Sequence, residues 1–204
     1  MREEKKQATR EALREAALRL ALEQGPDNVR VDDIAEAAGV SPRTYNNYFS
    51  SREQAIVAAV TAERESRVAE AVASRPANLR LADVVTEAIV EQYTDPGEHG
   101  RDALLMITTH PALREAFAGT AVAIEHPLAA LIAARLGDHD DHVAHVLAAS
   151  VAAAVRVALH RWIRPAGGSA SGLVVPSGSL SDLLRATLAP LAPAFDAAEN
   201  RRKS

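Results

Sequence analysis

The stretch VDDIAEAAGVSPRTYNNYFSSR, Val31 to Arg52, decides how this chain is read. Its spacing predicts two short helices joined by a tight turn, the first starting near Asp32 and the second near Pro42. Ile34, Ala38, Val40, Tyr45 and Tyr48 fall where two crossing helices share an apolar core. Ala35 stands at the closest approach, where a larger side chain would push the helices apart. Gly39 takes the left-handed backbone that a sharp turn requires. Ser41 caps the next helix, and Pro42 fits its first turn, where no N–H is needed. Arg43, Thr44, Asn46 and Asn47 then lie near the exposed start of the second helix. Asn pairs with adenine N6 and N7, Arg with guanine O6 and N7, and Thr with phosphate or a thymine methyl. Ser50, Ser51 and Arg52 open a further helix, whose free N–H groups and positive charge suit a phosphate. Such a unit enters the major groove of DNA.

The rest of the composition is compatible with that reading. The chain has 204 residues, 48% apolar and 25% charged, which is a globular composition. It has no cysteine, so disulfides, thiolate metal sites and a cysteine nucleophile are excluded, and a reducing cytoplasm is the expected setting. The charged N-terminus lacks the apolar core of a signal peptide. The apolar run Val146–Val155 is interrupted by Ser150 and is too short to span a bilayer, so no membrane partner is expected. Net charge is −4, yet residues 1–52 carry nine basic and nine acidic side chains, and Gly39 to Arg52 contains two arginines and no acid. The acidity therefore lies in residues 53–204, away from the candidate reader. No phosphate loop, nucleophile elbow or metalloprotease signature occurs, so neither an enzyme nor a cofactor is expected.

Periodicity is helical throughout, which predicts an all-α fold of nine or ten helices. The first is expected over about Glu3–Gln24, stopped by Gly25-Pro26. A fourth runs from about Ser51 to Ser74, before Arg75-Pro76. Further helices cover Leu79–Tyr93, Arg101–Thr109, Pro111–Leu136 (one kinked helix or two) and Asp141–Arg164. The Gly- and Pro-rich segment Pro165–Gly178 reads as a loop, and Leu173-Val174-Val175 belongs to it. Ser179 with Asp182 opens the last helix, to about Asn200, with kinks expected at Pro190 and Pro193.

Ile34-Ala35, Ala38-Gly39-Val40-Ser41, Thr44, Tyr48-Phe49 and Arg52-Glu53 together resemble the DNA-binding domain of TetR-family transcriptional regulators. The three-helix domain covers about Glu3–Phe49, and the resemblance continues through the fourth helix. Three positions depart from the family pattern. Asn46 stands where the family usually has an aromatic. Arg52 replaces the usual Lys before the fourth helix. Arg30 replaces the Ser or Thr cap before the second, which passes capping to Asp32 and frees Arg30 for a phosphate. The expected DNA-facing set is Arg30, Ser41, Pro42, Arg43, Thr44, Asn46, Asn47, Tyr48 and Arg52.

The resemblance implies a DNA-binding domain over 1–50 and a regulatory and dimerisation domain over 51–204. It also implies a homodimer on a palindromic DNA operator and release by a ligand, as in a repressor. Val151, Val155, Leu159, Leu184, Leu188 and Leu191 on the last two long helices are the expected dimer interface. The middle helices offer Tyr93, Met106, Thr109, Phe117, Glu125, His126 and Trp162 as candidates for holding a small apolar or amphipathic effector. A rival reading takes His139, His142 and His145, at three-residue steps, as a metal sensor.

Overall fold

The computed structural model describes residues 2–62, 64–94, 100–137, 141–163 and 179–203. Among them lie twelve α-helices and three short 3-10 turns, and no strand. The helices are α1 (Arg2–Gln24), α2 (Val31–Ala37), α3 (Pro42–Tyr45), α4 (Arg52–Thr61), α5 (Arg64–Ser74) and α6 (Leu81–Thr94). They continue as α7 (Gly100–Thr109), α8 (Pro111–Gly119), α9 (Glu125–Leu136), α10 (Asp141–Trp162), α11 (Leu180–Leu188) and α12 (Ala192–Lys203). The count exceeds the sequence expectation because two expected helices are broken. In place of the fourth stand α4, ending at Thr61, and α5, starting at Arg64, and the last divides at the 3-10 turn Ala189–Leu191, where Pro190 cannot donate to the helical ladder. The segment Pro165–Gly178 expected as a loop, including Leu173-Val174-Val175, and Asp95-Pro96-Gly97, expected to stop the helix Leu79–Tyr93, lie outside the described residues.

The chain packs as two compact units, Met1–Ala62 with Pro96–Phe117, and Glu63–Asp95 with Ala118–Ser204. In the first, α4 lies along α1, α2 packs on both α1 and α3, and α7 also touches α1. Leu13, Ala17, Ile34, Ala35, Tyr45 and Ile56 form its solvent-free centre. The boundary expected at residue 50 is no break in packing, because Ala55, Ile56 and Val57 of α4 face inward toward this core.

In the second unit α10 is central, with α9, α11 and the turn Thr120–Ile124 packed against it. The α6 helix lies against α5, α11 and α12. Ion pairs mark the α6 seam: Arg80 holds Asp196 of α12 with both carboxylate oxygens engaged, at 2.7 and 3.0 Å, and Arg185 of α11 holds Glu87 at 2.8 Å. The Glu199 carboxylate accepts the Leu81 N–H at 3.1 Å and so satisfies an orphan donor at the start of α6.

The stretches Pro111–Leu136 and His142–Trp162 are long and apolar enough by composition to cross a bilayer. The run Val146–Val155, broken by Ser150, had understated this. In each, 44% of the most apolar window is buried within the protein.

Candidate nucleic-acid interface

The reader is built by local capping. The α2 helix begins at Val31 with Arg30 as its cap residue, and the Asp33 carboxylate accepts the Arg30 N–H at 3.2 Å. The cap therefore comes from Asp33 and not from Asp32. An Arg side chain has no acceptor, so only half of a capping box forms. After α2 the chain turns at Gly39, whose φ is +69°. Ser41 Oγ then accepts the Thr44 N–H at 3.1 Å and lies 2.9 Å from Thr44 Oγ1, so α3 opens capped with Pro42 in its first turn. Only four residues of α3 are α-helical. Asn47 N–H bonds back to Thr44 and Tyr48 N–H to Tyr45, which tightens the end into 3-10-like turns.

One correction concerns the core. Tyr45 is fully buried as expected, but its aromatic partner is Phe49, at 2% exposure, and not Tyr48, which is half-buried. The two rings stand 5.9 Å apart at 44°, and the Arg10 guanidinium lies 5.7 Å from the Phe49 ring centre. Helical spacing alone placed Tyr48 inward. The Phe49 N–H bonds the Tyr45 carbonyl at 3.1 Å, four residues back, so Phe49 lies on the same side as Tyr45.

The outward side carries Arg43, Asn46 and Asn47, all exposed, with side chains that form no hydrogen bond among the described residues. Ser41, Pro42 and Arg30 are also exposed, while Thr44 and Tyr48 are half-buried. Arg52 differs. Its Nη1 donates to the carbonyls of Asp27 and Val29 at 2.8 and 2.9 Å, and its Nε to Glu53 at 2.8 Å. This guanidinium holds the 3-10 turn Pro26–Asn28 against the start of α4. No spacing rule could have located those acceptors, which lie 23 and 25 residues back in sequence.

The partnership of Arg52 and Glu53 has an electrostatic consequence. Burial would raise the Glu53 carboxyl, but hydrogen bonds and the Arg52 charge hold it below the usual carboxylate range. Burial, followed by the Glu53 charge, pushes the Tyr45 hydroxyl up to about 12. That hydroxyl donates to the Ser51 carbonyl at 2.8 Å, tying α3 to α4.

The expected dimer residues are corrected. Val151, Val155, Leu159 and Leu184 are fully buried and Leu188 is 3% exposed within a single protomer; only Leu191 remains half-buried. The α10 helix is apolar on several faces, and α9 and α11 of the same chain claim the broadest one. The apolar side chains that face outward on α10 include Val146, 65% exposed, Ala153, and Val157, 45% exposed, with Ser150 between them returning its hydroxyl to the Val146 carbonyl.

The expected effector residues divide between the two units. Met106, Thr109 and Phe117 belong to the first, with Phe117 buried, Met106 half-buried and Thr109 exposed. Tyr93, Glu125, His126 and Trp162 belong to the second, with Tyr93 buried, Glu125 and Trp162 half-buried and His126 exposed. Sequence reasoning missed Arg64, which is buried in the second unit 4.4 Å from the Tyr93 ring centre. His142 and His145 are exposed, His139 lies outside the described residues, and no group of three metal-capable side chains occurs among the described ones.

Residues 13–59 match the family model of bacterial regulatory proteins of the tetR family, and residues 79–196 match the MftR C-terminal domain. The HTH-type transcriptional regulator TcmR of Streptomyces glaucescens is 32% identical over 199 residues, covering 92% of this chain and 88% of that one. The HTH-type transcriptional regulator BetI of Rhizobium meliloti is 45% identical over 51 residues, 25% of each chain. The fold resembles the crystal structure of Thermus thermophilus FadR, a TetR-family transcriptional repressor in complex with lauroyl-CoA. The TM-score is 0.50 at 22% identity, covering 90% of this chain and 93% of that one. The chain belongs to the TetR family and is a DNA-binding transcriptional regulator, not an enzyme.

Proposed function

We propose that this regulator is a cytoplasmic homodimeric repressor that reads a palindromic operator and is released by a small apolar or amphipathic effector. The supporting observation is the outward side of α3, where Arg43, Asn46 and Asn47 are exposed and make no hydrogen bond among the described residues. These three supply the base contacts. Arg30, Ser41, Pro42, Thr44 and Tyr48 set the register on the backbone. Arg52 acts through the turn it holds, not as a phosphate ligand. Functionally, residues 1–50 read DNA, and residues 51–204 dimerise and sense.

The dimer forms through the stripe Val146–Ala153–Val157 on α10, continued on α11 by Leu183 and Thr187 and past its end by Leu191. These positions recur at helical spacing and keep partial or full exposure. A two-fold pair places two α3 elements one DNA turn apart, roughly 34–36 Å. The effector contacts Tyr93 and Trp162 in the second unit, with Glu125 and His126 orienting it. Binding lowers DNA affinity only by the effector's preference between the two dimer geometries.

Footprinting on the DNA upstream of the gene tests this reading. Two protected half-sites related by inversion are expected. A single unpaired half-site would rule out the two-fold dimer. A gel shift repeated with extracts of small molecules from the host tests release.

A further inference from the structure

His110 ends α7 and opens α8 on a corner whose backbone is held at several points. Thr108 Oγ1 lies 2.9 and 3.0 Å from the carbonyls of Leu104 and Leu105, and Thr109 Oγ1 lies 2.8 and 3.2 Å from those of Leu105 and Met106. Arg114 reaches back with Nη1 to the Thr108 carbonyl at 3.3 Å and with its N–H to the His110 carbonyl at 3.0 Å. The imidazole therefore projects from a fixed base. Its Nε2 lies 2.9 Å from Oδ1 of Asp27, while Nδ1 is buried with no hydrogen-bond partner among the described residues. Asp27 belongs to the turn Pro26–Asn28 that Arg52 grips by two carbonyls, and Arg52 Nη2 also lies 3.8 Å from the Asp27 carboxylate. Beside Arg52, the Ser51 carbonyl accepts the Tyr45 hydroxyl of α3. All of these residues lie in one compact unit.

We infer that His110 is a positioning residue for the DNA reader, acting on α3 through Asp27, Arg52 and the Ser51–Tyr45 bond. The physical reason is the slenderness of what it supports. The α3 helix has four residues, so its aim depends on its anchors more than on its own ladder. The Asp27 side chain is 74% exposed, and without the imidazole it keeps only the Arg52 guanidinium, at the longer distance of 3.8 Å. Bidentate base contacts tolerate displacements of about 0.5 Å, whereas attraction to phosphates in general does not depend on such aim. Loss of His110 should therefore weaken specific binding and leave non-specific binding in place.

The inference rests on the reading of DNA through α3, and the experiment separates the two. The full chain selects a duplex from a randomised pool. The affinity of wild type, His110→Ala, His110→Gln, Asp27→Ala and the double alanine variant is then measured on that duplex and on a scrambled one. Far-UV melting follows the fold of each. His110→Ala and Asp27→Ala should each weaken the selected duplex about fivefold or more with the scrambled one unchanged. The double variant should be no worse than the single ones, because both remove one link. His110→Gln, whose amide nitrogen can stand where Nε2 stands, should restore binding. Unchanged binding by His110→Ala, additive losses, equal losses on both duplexes, or no rescue by Gln would overturn the inference while leaving the DNA reading intact. Failure of the wild type to select any duplex would overturn both.

Discussion

The Tyr45 hydroxyl donates to the Ser51 carbonyl across 2.8 Å and joins α3 to the cap of α4. Tyr45 is fully buried, so its hydroxyl has no water to fall back on. Tyr45→Phe should destabilise the protein by about 1 kcal/mol, because it leaves the carbonyl without this donor. The raised pKa adds a pH signature. The native fold keeps the hydroxyl neutral up to about 12, whereas the unfolded chain ionises near 10. The stabilising contribution is then complete below pH 10 and lost as pH climbs from there to about 12. Urea midpoints at about pH 9 and about pH 11.5 should fall further for wild type than for Tyr45→Phe. Parallel declines would contradict the assignment.

Gly39 turns the chain at φ +69°, with open space where a Cβ would sit. Any cost of Gly39→Ala is therefore backbone strain and not a clash. It should be about 1–2 kcal/mol, with Gly39→Asn milder, since Asn visits this conformation more readily. Chemical denaturation of the three proteins checks the order.

Arg43→Ala and Asn47→Ala should each weaken operator binding by about 1–3 kcal/mol and relax the preference at one base pair. Unchanged operator affinity for Arg43→Ala would remove α3 from the groove.

Arg52→Ala should behave differently, because its guanidinium already holds two backbone carbonyls. The expected loss is in folding stability, about 1–2 kcal/mol after allowing for its partial exposure. The slope of log affinity against log salt should stay at the wild-type value. A slope smaller by about one unit would show that Arg52 meets a phosphate after all.

Val146→Asp or Val157→Glu should yield a folded monomer, since both side chains project from the protomer. Leu159→Ala, at a fully buried position, should instead lower stability by about 2–5 kcal/mol. Sedimentation velocity and thermal melting distinguish the two outcomes. A dimer that survives both surface charges would place the interface elsewhere.

The sequence alone determined the features that depend on neighbours within a few residues. Ser41 meets the N–H three positions on, Pro42 needs only its own ring, and Gly39 needs only its missing Cβ. These settle the helix-turn-helix and leave Arg43, Asn46 and Asn47 outside it, and the motif they form carried the family. Tertiary structure decided whatever depends on which distant group arrives first. Arg52 looked free for phosphate until two carbonyls more than twenty residues earlier occupied it. Val151, Val155 and Leu159 looked like a dimer seam until the chain's own helices covered them, since periodicity marks a face as apolar without saying which neighbour buries it. Phe49 replaced Tyr48 in the core because positions three and four residues past Tyr45 both lie near its face, and spacing alone does not say which one the neighbouring helices cover.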